Sequence, residues 1–248
     1  IYSEYAGSAS GLKLGDDSCK VIAFTSPCGG VGSSTMAAAC ALHYAARGKR
    51  TLYLNFERFG SSDAFFAAEG QFDMSGIIFA LKSKKTNLSM KMESCVKQDP
   101  RGVYFYSQSK VALDMLELGA DEIGRLISEA RLSGNYEYVI ADLEFGMDRA
   151  SLQILRQAGA IVWTGDGSEI SNRKLARAYQ ALAILEQNAE MPLTARIALI
   201  YNKFSNKSGT AVTGTELRSI GGAPRYEHAS TAQVLEQLAP KELFDKIQ

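Results

Sequence analysis

The chain lacks a charge excess of either sign. Its 248 residues carry 27 Lys and Arg against 27 Asp and Glu. Nothing in that balance calls for nucleic acid or an anionic membrane, and nucleic acid is not expected as a partner. Cysteines are few and scattered: Cys19, Cys28, Cys40 and Cys95 include no C-x-x-C pair. Their spacing excludes a disulfide framework and a zinc site, and they read as reduced thiols of a cytoplasmic protein. No stretch is long and apolar enough to span a bilayer, and no signal peptide is evident. Histidine is scarce. His43 and His228 have no acid–base partner within sequence reach, and both read as structural. An initiating methionine is missing as well. Residues 1–19 are Gly- and Ser-rich with mixed charge, a linker composition. A preceding receiver-like domain is expected, with a trimmed tag as the alternative.

What is present is organised around Val21 to Thr35, VIAFTSPCGGVGSST. Val21 to Phe24 has the apolar run of a buried strand. The turn Gly29-Gly30-Val31-Gly32 follows. Ser33, Ser34 and Thr35 then open an Ala-rich helix reaching Arg47, with Gly48 as its stop. Glycines let backbone N–H groups converge without Cβ clashes, and a helix dipole adds partial positive charge at the same point. This is the architecture of a phosphate cradle. The usual pattern, G-x-x-x-x-G-K-[ST], falls on Pro27 to Ser34. Gly32 and Ser34 fit it; Pro27 stands for the first glycine and Ser33 for the lysine. The alternative is a turn that kept its shape and lost its ligand.

The run G-G-V-G-x-[ST]-T resembles the deviant P-loop of the MinD/ParA family of dimerising ATPases, which reads K-G-G-x-G-K-[ST]-[ST]. Both family lysines are lost here, the signature lysine at Cys28 and the phosphate lysine at Ser33. Later segments resemble the family in order. Arg50 to Phe56 reads as a strand, and Asn55 and Glu57 fall on the family's D-x-D, whose second aspartate positions Mg²⁺ and attacking water. Tyr136 to Asp142 reads as a strand, and Asp142 and Gly146 fall on D-x-P-x-G, with Glu144 in place of proline. The resemblance implies that Asp142 meets Mg²⁺ through water and that Gly146 senses the γ-phosphate. Arg196 to Tyr201 reads as a strand followed by Asn202, to which the resemblance assigns a hydrogen bond with adenine. An amide both donates and accepts, as an adenine edge requires. Ala223 to Tyr226 falls where a family loop closes over the base. On their own, Glu57 also reads as a solvated strand end, Asp142 as a helix cap and Asn202 as a turn residue.

Between these segments, short helices are predicted over Ser62–Glu69, Met74–Lys82 and Leu88–Lys97, and a strand over Val103–Ser107. Longer helices are predicted over Asp121–Leu132, Glu169–Gln187 and Thr231–Leu238, and a strand over Ala160–Thr164. In Glu169–Gln187 the inward stripe is Leu175, Ala178, Tyr179, Leu182 and Leu185. Lys82, Lys84 and Lys85 read as a solvated helix end rather than a nucleic-acid site. The alternation predicts an α/β fold with a parallel sheet wrapped on both faces. With the resemblance it becomes a P-loop NTPase α/β/α sandwich of about seven strands over residues 20–248.

The resemblance implies ATP or ADP with Mg²⁺. Gly29, Gly30, Val31, Gly32, Ser33, Ser34 and Thr35 would face the phosphates, Ser34 and Asp142 the metal, and Glu57 the water. A phosphate lysine contributes about 1.5–3 kcal/mol to binding. Its loss weakens affinity roughly 10- to 100-fold. Hydrolysis suffers more, because charge develops on the transferring phosphoryl group. Weak hydrolysis at most is expected. Arg58 is the nearest substitute cation, with a solvent-exposed side chain as the alternative. Phe59-Gly60 is typical of the TadZ/CpaE-like branch. That branch implies a homodimeric localisation or scaffolding factor for Flp-type (Tad) pilus or secretion assembly proteins, at the cell pole or inner membrane face. The rivals are an active partitioning ATPase and a nucleotide-free pseudo-ATPase module.

Overall fold

A computed structural model describes residues 19–83, 87–111, 113–187 and 192–247. In chain order the elements are β1 (Lys20–Thr25), α1 (Ser33–Ala46), β2 (Thr51–Asn55), α2 (Ser62–Phe65), α3 (Met74–Ser83), α4 (Leu88–Cys95), β3 (Lys97–Gln98) and β4 (Tyr104–Phe105). Then come α5 (Ala120–Leu132), β5 (Tyr138–Asp142), α6 (Arg149–Gln157), β6 (Ala160–Gly165), α7 (Glu169–Gln187), β7 (Ile197–Phe204), β8 (Arg218–Pro224) and α8 (Thr231–Leu238). The sheet has eight strands in the order β3-β4-β2-β5-β1-β6-β7-β8. All pairings are parallel except β3 with β4 at the edge.

Both faces of the sheet are covered, so the central strands are apolar throughout. Val21 and Ala23 of β1 face one core, built with α3 to α7. Ile22 and Phe24 face the other, built with α1 and α8. The small side chains of α1 let it lie close to the sheet, and Met36 to Tyr44 are buried without interruption. Gly48, at φ 75°, ends the helix in the left-handed region that favours glycine. From β1 the chain moves out to β2, returns at β5 and crosses to β6 on the other side. Strand order therefore reverses at β1, and the crevice at the carboxyl ends of β1, β5 and β6 is where such sheets bind ligands.

Several expectations are corrected. The sheet has eight strands, not seven, because Arg218–Pro224 forms β8 and Lys97–Gln98 forms an edge strand. Lys97 therefore leaves the predicted helix, and α4 ends at Cys95; α2 ends at Phe65. The strand expected over Val103–Ser107 is only Tyr104–Phe105. Helix α6 was not expected, although Asp148 caps it by accepting from the N–H groups of Ala150 and Ser151 at 2.9 and 3.1 Å. On α7, Leu185 leaves the predicted stripe and is 40% exposed. His43 is buried: Nδ1 lies 2.8 Å from the Ala239 carbonyl and Nε2 2.9 Å from Asp245 Oδ1, tying α1 to the C-terminal segment. Lys84, Lys85 and residues 1–18 lie outside the described residues; Cys19 is buried. No described helix is long and apolar enough to cross a membrane.

Candidate functional site

The loop after β1 is tied to β6 and α7. Ser26 donates its hydroxyl to the Thr164 carbonyl at 2.6 Å and accepts from the Cys28 N–H at 3.0 Å. Cys28, where the family has its signature lysine, turns inward. Its thiol lies 3.4 Å from the Ser171 carbonyl and accepts from the Ser171 hydroxyl at 3.3 Å. Gly30 and Gly32 have φ of 75° and 87°, so the loop needs glycine at both for backbone reasons. Gly32 is also the N-cap of α1, its carbonyl accepting from the Met36 N–H at 3.0 Å. The N–H groups of Ser33, Ser34 and Thr35 lie in the first turn and have no intrahelical acceptor. No side chain caps this helix and its first turn holds no acid. A pocket of about 330 Å³ opens there, lined by Ser26, Cys28 to Thr35, Glu57 and Leu143 to Phe145.

Behind Glu57, which lines this pocket, lies a buried polar cluster. Asp142, at the end of β5, is fully buried. Its Oδ2 accepts from the Tyr53 hydroxyl at 2.7 Å and from Asn55 Nδ2 at 3.1 Å. Asn55 Nδ2 also reaches Glu57 Oε2 at 3.1 Å, and Asn55 Oδ1 accepts from the Glu57 N–H at 3.0 Å. Ser34 donates to Glu57 Oε1 at 3.0 Å. Burial first, then the neighbouring Glu57, pushes the Asp142 carboxyl up to about 7; the Tyr53 and Ser34 hydroxyls pull the other way. Among the described residues, Asp142 Oδ1 and Ser33 Oγ are two of the buried polar atoms without a hydrogen-bond partner. Buried polar atoms are normally paired; Ser33 lines the pocket, and Asp142 stands behind Ser34 and Glu57, which line it too. The residues fit a phosphate group with a divalent cation: open N–H groups and a free hydroxyl for the first, an unpartnered carboxylate oxygen beside Ser34 for the second.

The other sequence-derived residues divide. Gly146 lies outside the pocket lining. A Cβ there would come 2.6 Å from Asp148 Oδ2 and Ser151 Oγ, displacing that side-chain pair at the start of α6. Asn202 lies inside β7 rather than after it. It is buried, and its Nδ2 donates to the Val31 carbonyl at 2.8 Å. Ala223 and Pro224 end β8 instead of forming a loop, and they line a separate cavity of about 360 Å³ with Tyr201 and Phe204. Arg58 is not free to replace a lysine. It makes hydrogen bonds of 2.8 and 2.5 Å to Glu144 Oε2, and that ion pair is exposed. A Cβ on Gly60 would collide with the Asn55 and Gln108 side chains. Lys203 was missed: its Nζ donates to the Gly30 carbonyl at 2.8 Å, from a backbone at φ 58°. The only signal in the sequence was its place beside Asn202.

No protein-family model and no curated sequence matches the chain. Solved structures do. A ParA family ATPase from Chlorobium tepidum TLS superposes with a TM-score of 0.72 at 19% identity, over 93% of this chain and 98% of that one. MinD from Aquifex aeolicus gives 0.65 at 18% identity, over 89% and 95%. A plasmid partition protein from Borrelia burgdorferi B31, bound to AMPPNP, gives 0.58 at 14% identity, over 92% and 98%. The chain has the fold of the ParA and MinD ATPases.

Proposed function

We propose that the chain binds ATP or ADP with Mg²⁺ in the pocket between Gly29 and Thr35, and hydrolyses ATP weakly or not at all. The observation that carries this is the pairing of an uncapped helix N-terminus with the unpartnered Asp142 Oδ1. The N–H groups of Gly30 to Thr35 bind phosphate oxygens. Ser34 and Asp142 hold the metal, whose charge offsets that of the phosphates. Glu57, already fixed by Ser34 and Asn55, orients water. The remaining acceptor and donor capacity of Asn202 serves the adenine edge. The AMPPNP bound by the Borrelia protein supports a nucleotide here. Among the described residues no Lys or Arg lines the pocket, whereas Glu57 and Glu144 do. Binding therefore depends on Mg²⁺, and transition-state charge lacks a protein cation.

We assign the protein a localisation or scaffolding role as a homodimer for pilus or secretion assembly proteins of the Tad type. It acts in the cytoplasm, at the cell pole or inner membrane face. Phe59-Gly60 and the loss of both lysines support that branch. The exposed apolar side chains of Phe59 and Leu116 support a dimer face. Calorimetric titration with ATP and ADP, with and without Mg²⁺, tests the nucleotide reading. Mg²⁺-dependent binding in the micromolar range supports it. No binding at millimolar nucleotide favours the ligand-free interaction module.

A further inference from the structure

Two consecutive residues at the end of β7 grip the glycine loop from behind. Asn202 Nδ2 donates to the Val31 carbonyl at 2.8 Å, and Lys203 Nζ donates to the Gly30 carbonyl at 2.8 Å. A trans peptide points its N–H opposite to its C=O. The carbonyls of Gly30 and Val31 are drawn toward β7. The N–H groups of Val31 and Gly32, on the far side of the same two peptides, therefore point away from β7. The grip is tight: a Cβ on Gly32 would come 2.5 Å from Asn202 Nδ2 and 3.8 Å from Lys203 Cε. Lys203 holds φ 58°, a left-handed conformation that a lysine adopts at a cost. Such a backbone persists when the contact it permits is worth more than the strain.

We infer that Lys203 is the working cation of this phosphate loop, a positioning residue that acts through the Gly30–Val31 peptide instead of touching the phosphate. This rests on the nucleotide reading above. The family's phosphate lysine is Ser33 here, Cys28 is turned inward, and Arg58 is taken by Glu144. Among the described residues, Lys203 is the cation the structure places on the loop itself. A positive charge at the carbonyl end of a peptide polarises it and strengthens its N–H as a donor to an anion. The cation also fixes the loop before ligand arrives, which lowers the ordering cost of binding.

The test uses the whole chain with Lys203→Asn and Lys203→Arg, titrated with Mg-ATP and with Mg-tripolyphosphate, which has no nucleoside. Asparagine tolerates the left-handed backbone, so Lys203→Asn removes the charge without adding strain. Lys203→Asn is expected to weaken both ligands about 10-fold, the worth of one charge-assisted contact. Lys203→Arg is expected to recover most of that loss, and the thermal midpoint of Lys203→Asn to stay within a few degrees of wild type. If wild type binds and Lys203→Asn binds equally well, the inference fails while the nucleotide reading stands. A loss for ATP but not for tripolyphosphate, or no tripolyphosphate binding by wild type, also overturns it by placing Lys203 at the nucleoside end. A wild type that binds neither ligand removes both readings.

Discussion

Asn55 Nδ2 lies 3.1 Å from Asp142 Oδ2 and 3.1 Å from Glu57 Oε2, so one neutral amide joins two carboxylates that would otherwise repel. Asn55→Asp replaces that donor with a third acid. Without metal, the variant is expected to lose about 2 kcal/mol of stability. For a domain of this size that lowers the thermal midpoint by roughly 4–8 °C. Millimolar Mg²⁺ should return part of the loss. A scan with and without Mg²⁺ checks this, and an unchanged midpoint contradicts the bridging role.

Gly32→Val should abolish nucleotide binding. The added Cβ sits in a left-handed backbone at φ 87° and against the Asn202 amide. Relief requires the loop to leave its cradle shape, and the N–H groups then diverge. Calorimetry of Gly32→Val reads this directly. Retained affinity would remove the loop from the site.

Ser33→Lys restores a lysine at the position where the hydroxyl is buried and unpartnered. The new ammonium should raise Mg-ATP affinity roughly 10- to 100-fold. Equal affinity in Ser33→Lys and wild type would show that position 33 does not face the phosphates.

Asp99 provides a pH test away from the site. It is buried, and it accepts from Arg101 Nε at 2.8 Å, Arg101 Nη2 at 3.0 Å and the Ala67 N–H at 2.9 Å. Burial raises its carboxyl, but the Arg101 guanidinium and the backbone N–H groups outweigh that, and the net direction is down from 3.8. A depressed folded value means stability that is present above the unfolded value and lost as pH falls through the folded one. Asp99→Asn should cost about 2 kcal/mol at pH 7. The gap to wild type should close in acid, below about pH 4. Urea titrations from pH 3 to 7 measure it; a pH-independent gap contradicts the charge pairing.

The strand, glycine turn and helix from β1 to α1 were legible in the sequence because glycine, hydroxyl and apolar runs each have one local meaning there. Helix α7 was legible from its amphipathic stripe, and α8 falls on the expected Thr231–Leu238. Asp142 was legible as a strand-terminal acid. Strand β8, RSIGGAP, was not, because its two glycines interrupt any apolar run and only Ile220 and Ala223 are buried. Its strand character comes from pairing with β7, a tertiary fact. Tyr53 escaped notice although it stands two residues before Asn55 on the same face of β2. What it touches, Asp142, is 89 residues away. The roles of Cys28 and Lys203 likewise depend on partners more than 140 positions distant, Ser171 and Gly30. No local pattern encodes either contact.

On the proposed reading the site keeps its glycine loop and Asp142 and uses Mg²⁺ where the family uses a lysine. Calorimetric titration of the purified chain with ATP, with Mg²⁺ and then with chelator, tests it most directly. Micromolar binding that vanishes in chelator is the expected result. Equal binding with and without Mg²⁺, or none at millimolar ATP, would contradict it.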